Sequence, residues 1–555
     1  MKKNEKRKLW KQGLGTALVC GLAVAVFPAA KADAADLLKA GPINTTAEHV
    51  TQNQPFAEGT AGSQYFRIPA FIVTQKGNLL AAADARYSTT GDGGGLDTIA
   101  SVSTDNGKTW NYSFPLYFPD SDGYIGNTAT TIIDPALVQG KDGEIYCIAD
   151  VNPTGVTTMG GYKAPGEGTG YVKVNGKDYL AVTDNYDNVN TQPKDDDVTT
   201  YAYYVGDWDE NGYAKILKRS DHLETGYGVD KWYNLYKVEN GEYKDTLTQK
   251  QVNSNTDIQQ NIFYKGSALH VYNTGYMMYA KTYDDGFTWT DPEILNPQIK
   301  RPTKETALLV SPGQGVLTSD GTIVIPFYDH GDGEENASII WSDDNGKTWE
   351  RSNDVPGAAA GGYWSSESEV VELSDGTLRM FFRSGQGVVC YSDAVRNTSG
   401  DYVFTKPVKT GVSCTSTCNV TAINYSKTID GKQAILVAAP GGSGRANGKI
   451  FTFLVEEDKM LTLKNSYSVN SGTYQYSCMS ELKNGTVGLL WENGGGSIRY
   501  DNYDIAQLAA DGYINDLELG VELTRNETYT RSYQVAEEHK TGITTEADQK
   551  IADVN

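Results

Sequence analysis

The chain has 555 residues, with 48 Lys and Arg against 70 Asp and Glu, a formal charge of −22 and 39% hydrophobic residues. That length and apolar content suffice for a large core. A surface so acidic is a poor partner for nucleic acid or an anionic membrane, so any anionic ligand must be held by a local cluster of cations.

Residues 2–11 are rich in Lys and Arg, and the apolar run from Leu14 to Ala30 is followed by Ala32-Asp33-Ala34, the pattern of a secretory signal peptide. The expectation is a signal peptide over 1–34 and a secreted protein, extracellular or periplasmic. Cys20 lies inside that run but lacks the preceding small residue of a lipoprotein signal. Five further cysteines, Cys147, Cys390, Cys414, Cys418 and Cys478, form no disulfide framework, although Cys414 and Cys418 stand close enough for a local bridge. No second cysteine pair or nearby His supports zinc, so neither a metal nor another cofactor is expected. No apolar stretch after residue 35 is long enough to span a bilayer, and a monomer is expected.

Three copies of one pattern recur: Ser103-Thr-Asp-Asn-Gly-Lys-Thr-Trp110, Thr282-Tyr-Asp-Asp-Gly-Phe-Thr-Trp289 and Ser342-Asp-Asp-Asn-Gly-Lys-Thr-Trp349. Each reads as a hairpin turn in which Asp accepts backbone N–H bonds, Gly takes a positive φ and Trp packs the turn onto its sheet. The Asp-x-Gly text also resembles calcium loops, but the closing bidentate Glu is missing. A second signal, polar-Gly-x-apolar, recurs at Gly77, Gly143, Gly321, Gly376, Gly431 and Gly485, and the last four stand 55, 55 and 54 residues apart. Such units, of about four strands each, are β-propeller blades. The signals predict an all-β, six-bladed propeller. The long interval from Gly143 to Gly286 locates a small inserted β domain over 152–257, whose Tyr-rich text, broken by Gly, Asn and Asp, predicts short hairpins. The propeller then occupies 35–151 and 258–530, and the polar text over 531–555 reads as a tail.

The arginines carry the chemical signal. Arg67 lies in the apolar Tyr65-Phe-Arg-Ile-Pro69, Arg383 ends Leu378-Arg-Met-Phe-Phe-Arg383, and Arg445 closes the Gly-rich Pro440-Gly-Gly-Ser-Gly-Arg445. They belong to different blades, whose inner strands converge on the axis, so three planar guanidiniums can meet around one carboxylate. Taken singly, each reads more readily as a surface or packing arginine.

Phe66-Arg-Ile-Pro69, together with the Trp-ended turns, resembles the bacterial exo-sialidases (neuraminidases), over about Tyr65 to Asn493. The resemblance implies that Arg67, Arg383 and Arg445 clamp the carboxylate of a sialic acid. It implies that Arg86, in Asp84-Ala-Arg-Tyr-Ser-Thr-Thr-Gly-Asp92, contacts a sugar hydroxyl and that Asp92 is the general acid/base. Asp97 is its rival, because the Gly-rich text between them leaves the register loose. Tyr476, in Gln475-Tyr-Ser-Cys-Met-Ser, matches the nucleophile, Glu367 the base that activates it, and Glu492, in Leu489-Leu-Trp-Glu-Asn493, the acid that orients the first arginine. A neutral phenol suits this substrate, whose anomeric carbon carries a carboxylate that repels an anionic nucleophile, and a phenol needs an adjacent base.

The implied activity is a retaining exo-α-sialidase acting on sialylated glycoconjugates. Two alternatives stay open. A non-catalytic sialoglycan-binding propeller would keep the arginines without needing Tyr476, Glu367 and Asp92 together. An intramolecular trans-sialidase would release 2,7-anhydro-sialic acid; such relatives resemble one another in a bulky aromatic soon after the Glu-containing segment. Here Glu492 is followed by Asn-Gly-Gly-Gly-Ser-Ile, with no aromatic before Tyr500, which favours hydrolysis.

Overall fold

Short strands of β-branched, aromatic and alanine residues, ended by glycine and Asx turns, fold into antiparallel meanders. The computed structural model describes residues 53–120, 129–156, 168–190, 195–251, 255–301, 305–331, 334–442, 444–510 and 514–516. The signal peptide expected over 1–34 and the tail expected over 531–555 lie outside the described residues. The first meander runs through Tyr65–Val73, Leu79–Arg86, Leu96–Ser103 and Asn111–Leu116. The second comprises Thr131–Gln139, Ile145–Asn152, Tyr276–Thr282 and Glu293–Ile294, and it joins the first through one parallel pair, Leu96 with Thr131. Further meanders span Glu305–Val310 to Glu350–Arg351, Ser368–Glu372 to Tyr402–Phe404, Thr421–Ile429 to Leu461–Thr473, and Ser477–Glu481 to Ile498–Tyr503.

Successive meanders pack side by side through their first one or two strands, and Ser477–Glu481 returns to Tyr65–Val73, so the arrangement is propeller-like. Apolar layers fill the spaces between neighbours. Phe66, Phe71, Leu79, Leu490 and Tyr500 lie between the first meander and the last, and Ile148, Leu308, Ile325 and Ile340 between the second and third. Each such side chain contributes roughly 1.5–3 kcal/mol on burial.

The three Trp-ended turns share one hydrogen-bond scheme. In the first, Gly107 N donates to Ser103 Oγ at 2.8 Å, while Thr109 N and Thr109 Oγ1 donate to the Asp105 carboxylate at 2.8 and 2.6 Å. The turns at Asp284 and Asp344 repeat these contacts. Gly107 is required twice over: its φ is +86°, and a Cβ there would lie 2.3 Å from the Tyr500 ring of the last meander. Trp110 meets that same ring edge-on at 5.6 Å, so the turn is pinned to its neighbour.

The chain leaves the second meander after Asn152 and re-enters it at Tyr276, which pairs with Val151. Between them, strands from Tyr171–Val174 to His270–Val271 form an eight-stranded sheet, more extended than the short hairpins expected. The sequence reading ended this segment at 257. The structure carries it further, because Asp257–Gln259 closes a hairpin on Thr248–Lys250 and His270 pairs with Thr183. This sheet shares its core with the meanders: Leu180, Val182 and Leu235 join Phe118, Ile132 and Val151 in one cluster, and Phe263 stacks on Phe118 at 5.7 Å.

All five described cysteines are free and buried. The possible Cys414–Cys418 bridge is therefore not made. Cys414 is packed with Phe381 and Val437, whereas Cys418 is packed with Ile68 and Tyr476.

Candidate active site

A cavity of about 190 Å³ opens where the leading strands converge. Of the eight site residues expected from sequence, six line it: Arg67, Asp92, Glu367, Arg383, Arg445 and Tyr476. The remaining two, Arg86 and Glu492, are buried behind them.

Arg67 is aimed by a break in its strand. The register slips between Arg67 and Ala70, and Ile68 has φ 59°, a region that β-branched residues seldom enter. One carboxylate holds this strained corner. Glu492 Oε1 accepts from Ile68 N at 2.7 Å, and its Oε2 accepts from Arg67 Nε at 3.2 Å. Arg67 Nη1 donates to Asp92 at 3.1 Å, while Nη2 is buried with no partner. Burial works against the Arg67 cation, but Glu492 and Asp92 outweigh it and hold the charge.

Arg86 donates to Asp92 Oδ1 at 2.6 Å, to Asp84 Oδ2 at 2.6 Å and to Thr90 O at 2.7 Å. The sequence reading gave it a sugar hydroxyl. Instead its guanidinium is fully buried and occupied by protein, because the whole strand Leu79–Arg86 is buried. Arg86 thus supports Asp92 from behind. Burial drives the Asp92 carboxyl up, yet the guanidiniums of Arg86, Arg67 and Arg445 prevail and keep it below its ordinary value. Asp97, the rival acid, is buried away from the cavity and accepts from Tyr87 Oη at 2.7 Å and Phe118 N at 2.9 Å.

Tyr476 precedes the strand Ser477–Glu481, and its phenol donates to Glu367 Oε1. Arg383 Nη1 reaches Glu367 Oε2 at 3.0 Å and Tyr476 Oη at 3.4 Å. Arg445, anchored by Thr417 O, and Arg67 stand 5.3 and 5.6 Å from the centre of the same phenol ring. Burial, reinforced by the Glu367 carboxylate, pushes the phenol well above its ordinary value, against the pull of Arg383, so Tyr476 rests neutral. The group can pass a proton to Glu367 while positive charge surrounds the oxygen left behind.

Other lining residues were not anticipated, among them Asp134, Tyr328, His330, Glu335 and Ser366. Asp134 had a signal: Ile133-Asp-Pro-Ala136 repeats the form of Arg67-Ile-Pro-Ala70. In both, the residue before Pro has a positive φ and the strand register slips. Burial, together with Asp84 and Asp150, lifts the Asp134 carboxyl well above its ordinary value. His330 and Glu335 face each other across a hairpin, Nε2 to Oε1 at 3.0 Å, and no motif marked them. Among the described residues, no group of three His, Cys, Asp or Glu side chains could hold a metal ion.

The BNR repeat-like domain family matches residues 68–466. The chain is 31% identical to an anhydrosialidase of Macrobdella decora over 85% of its length, and 29% identical to sialidase B of Streptococcus pneumoniae over 83%. It spans 62% and 65% of the lengths of those two relatives. Among solved structures, the intramolecular trans-sialidase from Ruminococcus gnavus superposes with a TM-score of 0.71 at 30% identity, covering 82% of this chain and 98% of that one. The repeat family covers most of the chain and the relatives just named are described as sialidases, so the chain belongs to the BNR repeat-like domain family, on its sialidase side.

Proposed function

We propose that the protein is a secreted, retaining exo-α-sialidase that hydrolyses terminal sialic acid from glycoconjugates, built as a six-bladed propeller with one inserted β region. One observation carries this reading: the neutral Tyr476 phenol is paired with Glu367 inside a cavity ringed by three guanidiniums, one of which keeps a buried, unpartnered N–H group. The substrate carboxylate takes Arg67 Nη2 together with Arg383 and Arg445. Tyr476 Oη attacks the anomeric carbon as its proton passes to Glu367, and the bond to the aglycon breaks. Asp92 gives its proton to the leaving oxygen and later takes one from the attacking water, a role worth about 10²–10⁴ in rate. Two inversions give net retention.

An acid held below its ordinary value is a poor donor in the free protein. Substrate alters that balance. A bound carboxylate competes for Arg67 and Arg445 and places a second negative charge near Asp92, and both effects raise its proton affinity.

A second reading has a specific support. Relatives described as an anhydrosialidase and an intramolecular trans-sialidase favour a 2,7-anhydro product, in which a hydroxyl of the substrate replaces water. Against it stands the turn after Glu492, where Gly494, Gly495 and Gly496 all take positive φ (89°, 65° and 77°) and offer the cavity no side chain. The test is incubation with 3′- and 6′-sialyllactose, read by proton NMR before mutarotation. α-Sialic acid as the first product is expected. Initial β-anomer excludes the retaining mechanism, and a 2,7-anhydro sugar as main product establishes the second reading.

A further inference from the structure

We propose, on the sialidase reading above, that Asp84 is a positioning residue for the acid/base Asp92 and acts on it through Arg86, although Asp84 is fully buried and does not line the cavity.

Asp92 has little to hold it locally. It lies on the loop after the strand Leu79–Arg86, between Gly91 and Gly93, and its side chain is 34% exposed. Two guanidiniums fix it, because Arg67 Nη1 and Arg86 Nη1 both donate to Oδ1, at 3.1 and 2.6 Å. Among the described residues, Oδ2 accepts from no protein group, which leaves that oxygen to carry the proton for the leaving group.

Each guanidinium is aimed by a carboxylate, and the two carboxylates are built alike. Glu492 takes Ile68 N and Arg67 Nε at 2.7 and 3.2 Å. Asp84 takes Asp134 N on Oδ1 at 2.9 Å and, on Oδ2, Arg86 Nε and Nη2 at 3.2 and 2.6 Å. In both cases the amide belongs to the residue before a proline, held at φ 59° in Ile68 and 62° in Asp134. Asp84 therefore does for Arg86 what Glu492 does for Arg67, and the two units converge on one oxygen of the acid. Asp84 and Arg86 share one face of a buried strand, and Asp84 stands directly across from Arg67 in the neighbouring strand. Burial drives the Asp84 carboxyl up to about 6, against the pull of Arg86, so it is ionised at neutral pH.

This carboxylate has two effects. Its paired contact holds the guanidinium so that Nη1 reaches Thr90 O and Asp92. It also shares the Arg86 charge. With a neutral amide in place of Asp84, Arg86 would press its whole charge on Asp92, lower its proton affinity and make it a poorer donor to a sugar oxygen.

The test compares kcat/KM at neutral pH on 3′-sialyllactose, whose leaving sugar needs a proton, and on a 4-methylumbelliferyl α-sialoside, whose phenolic leaving group needs little. Asp84→Asn keeps an acceptor for Asp134 N. It is expected to lower the first by about tenfold or more, as loss of a charge-assisted contact predicts, and the second by less than about threefold. In the Asp92→Ala background the same substitution should change neither substrate by more than about twofold, because a residue that acts through Asp92 has nothing left to act on. Arg86→Lys keeps a cation but cannot bridge Asp84, Thr90 and Asp92 at once, and should show the same selective loss, which gives a reading even where Asp84→Asn does not fold. Equal loss on both substrates, or a loss that multiplies with that of Asp92→Ala, overturns the proposal. A wild-type protein that cleaves neither substrate overturns the sialidase reading, and the role of Asp84 with it.

Discussion

The ring of meanders and the additional sheet are both antiparallel and both bury tyrosines, yet the buried carboxyls lie in the ring, with none among the described residues of 171–271. The ring buries carboxyls and guanidiniums, among them Asp84, Asp134, Asp150, Glu369, Arg67 and Arg86. The sheet relies on phenols: buried Tyr201 and Tyr272 stand 4.6 Å apart, half-buried Tyr179 lies 5.0 Å from buried Tyr204, and Tyr272 Oη donates to Thr200 O at 2.7 Å. A phenol removes a large apolar area from water and needs only one partner for its hydroxyl. A buried charge is tolerated only where partners surround it, so its presence marks a site more often than a scaffold. The cavity agrees with that division, since none of its lining residues comes from 171–271.

The sharpest way to break the comparison is at the ring's own acids. Asp92→Ala should lower kcat/KM on sialyllactose by about 10²–10⁴ while sparing substrates with a good phenolic leaving group. Asp97→Ala should lower thermal stability instead, because it strands Tyr87 Oη and Phe118 N. If Asp97→Ala shows the leaving-group pattern, the proton donor has been assigned to the wrong carboxyl.

Next in size is the joint between the two regions. Phe263 stacks on Phe118 and meets Tyr276 edge-on at 5.2 Å, so Phe263→Ala should cost about 3–5 kcal/mol of stability and lower one cooperative transition. Calorimetry showing two transitions, with the later one unmoved, would mean that the sheet unfolds independently of the ring.

The smallest effect concerns pH. Burial raises the Glu369 carboxyl from 4.5 to about 8, even though Ala422 N and Thr421 Oγ1 donate to it at 3.0 and 2.7 Å. Between those values the folded protein keeps a proton that the unfolded chain has released. Stability should therefore fall as pH rises from about 4.5 to about 8. Glu369→Gln should flatten that fall by about 1 kcal/mol or more, while Glu481, raised to about 7, leaves a residual slope. Melting temperatures at pH 5 and pH 8 check this, and an unchanged slope would show that Glu369 is ionised within the fold.

What the amino-acid sequence determined about this protein was local chemistry and its repetition. The Ser/Thr-x-Asp-x-Gly-x-Thr-Trp turns close through hydrogen bonds within a few residues, so their geometry was legible at Asp105, Asp284 and Asp344 without any knowledge of neighbours. The arginines were legible because guanidiniums in apolar strands and a Gly-rich loop stand out. Only the tertiary structure decided the rest. Arg86 lies in the same short segment as Asp92, yet burial of its strand turned it from a contact into a support. His330, Glu335 and Ser366 reach the cavity because separate sheets meet there, and the additional sheet runs on to Val271 because His270 pairs with a strand some ninety positions earlier. Contacts of that range depend on closure of the whole chain, and no spacing within a single strand or turn encodes them.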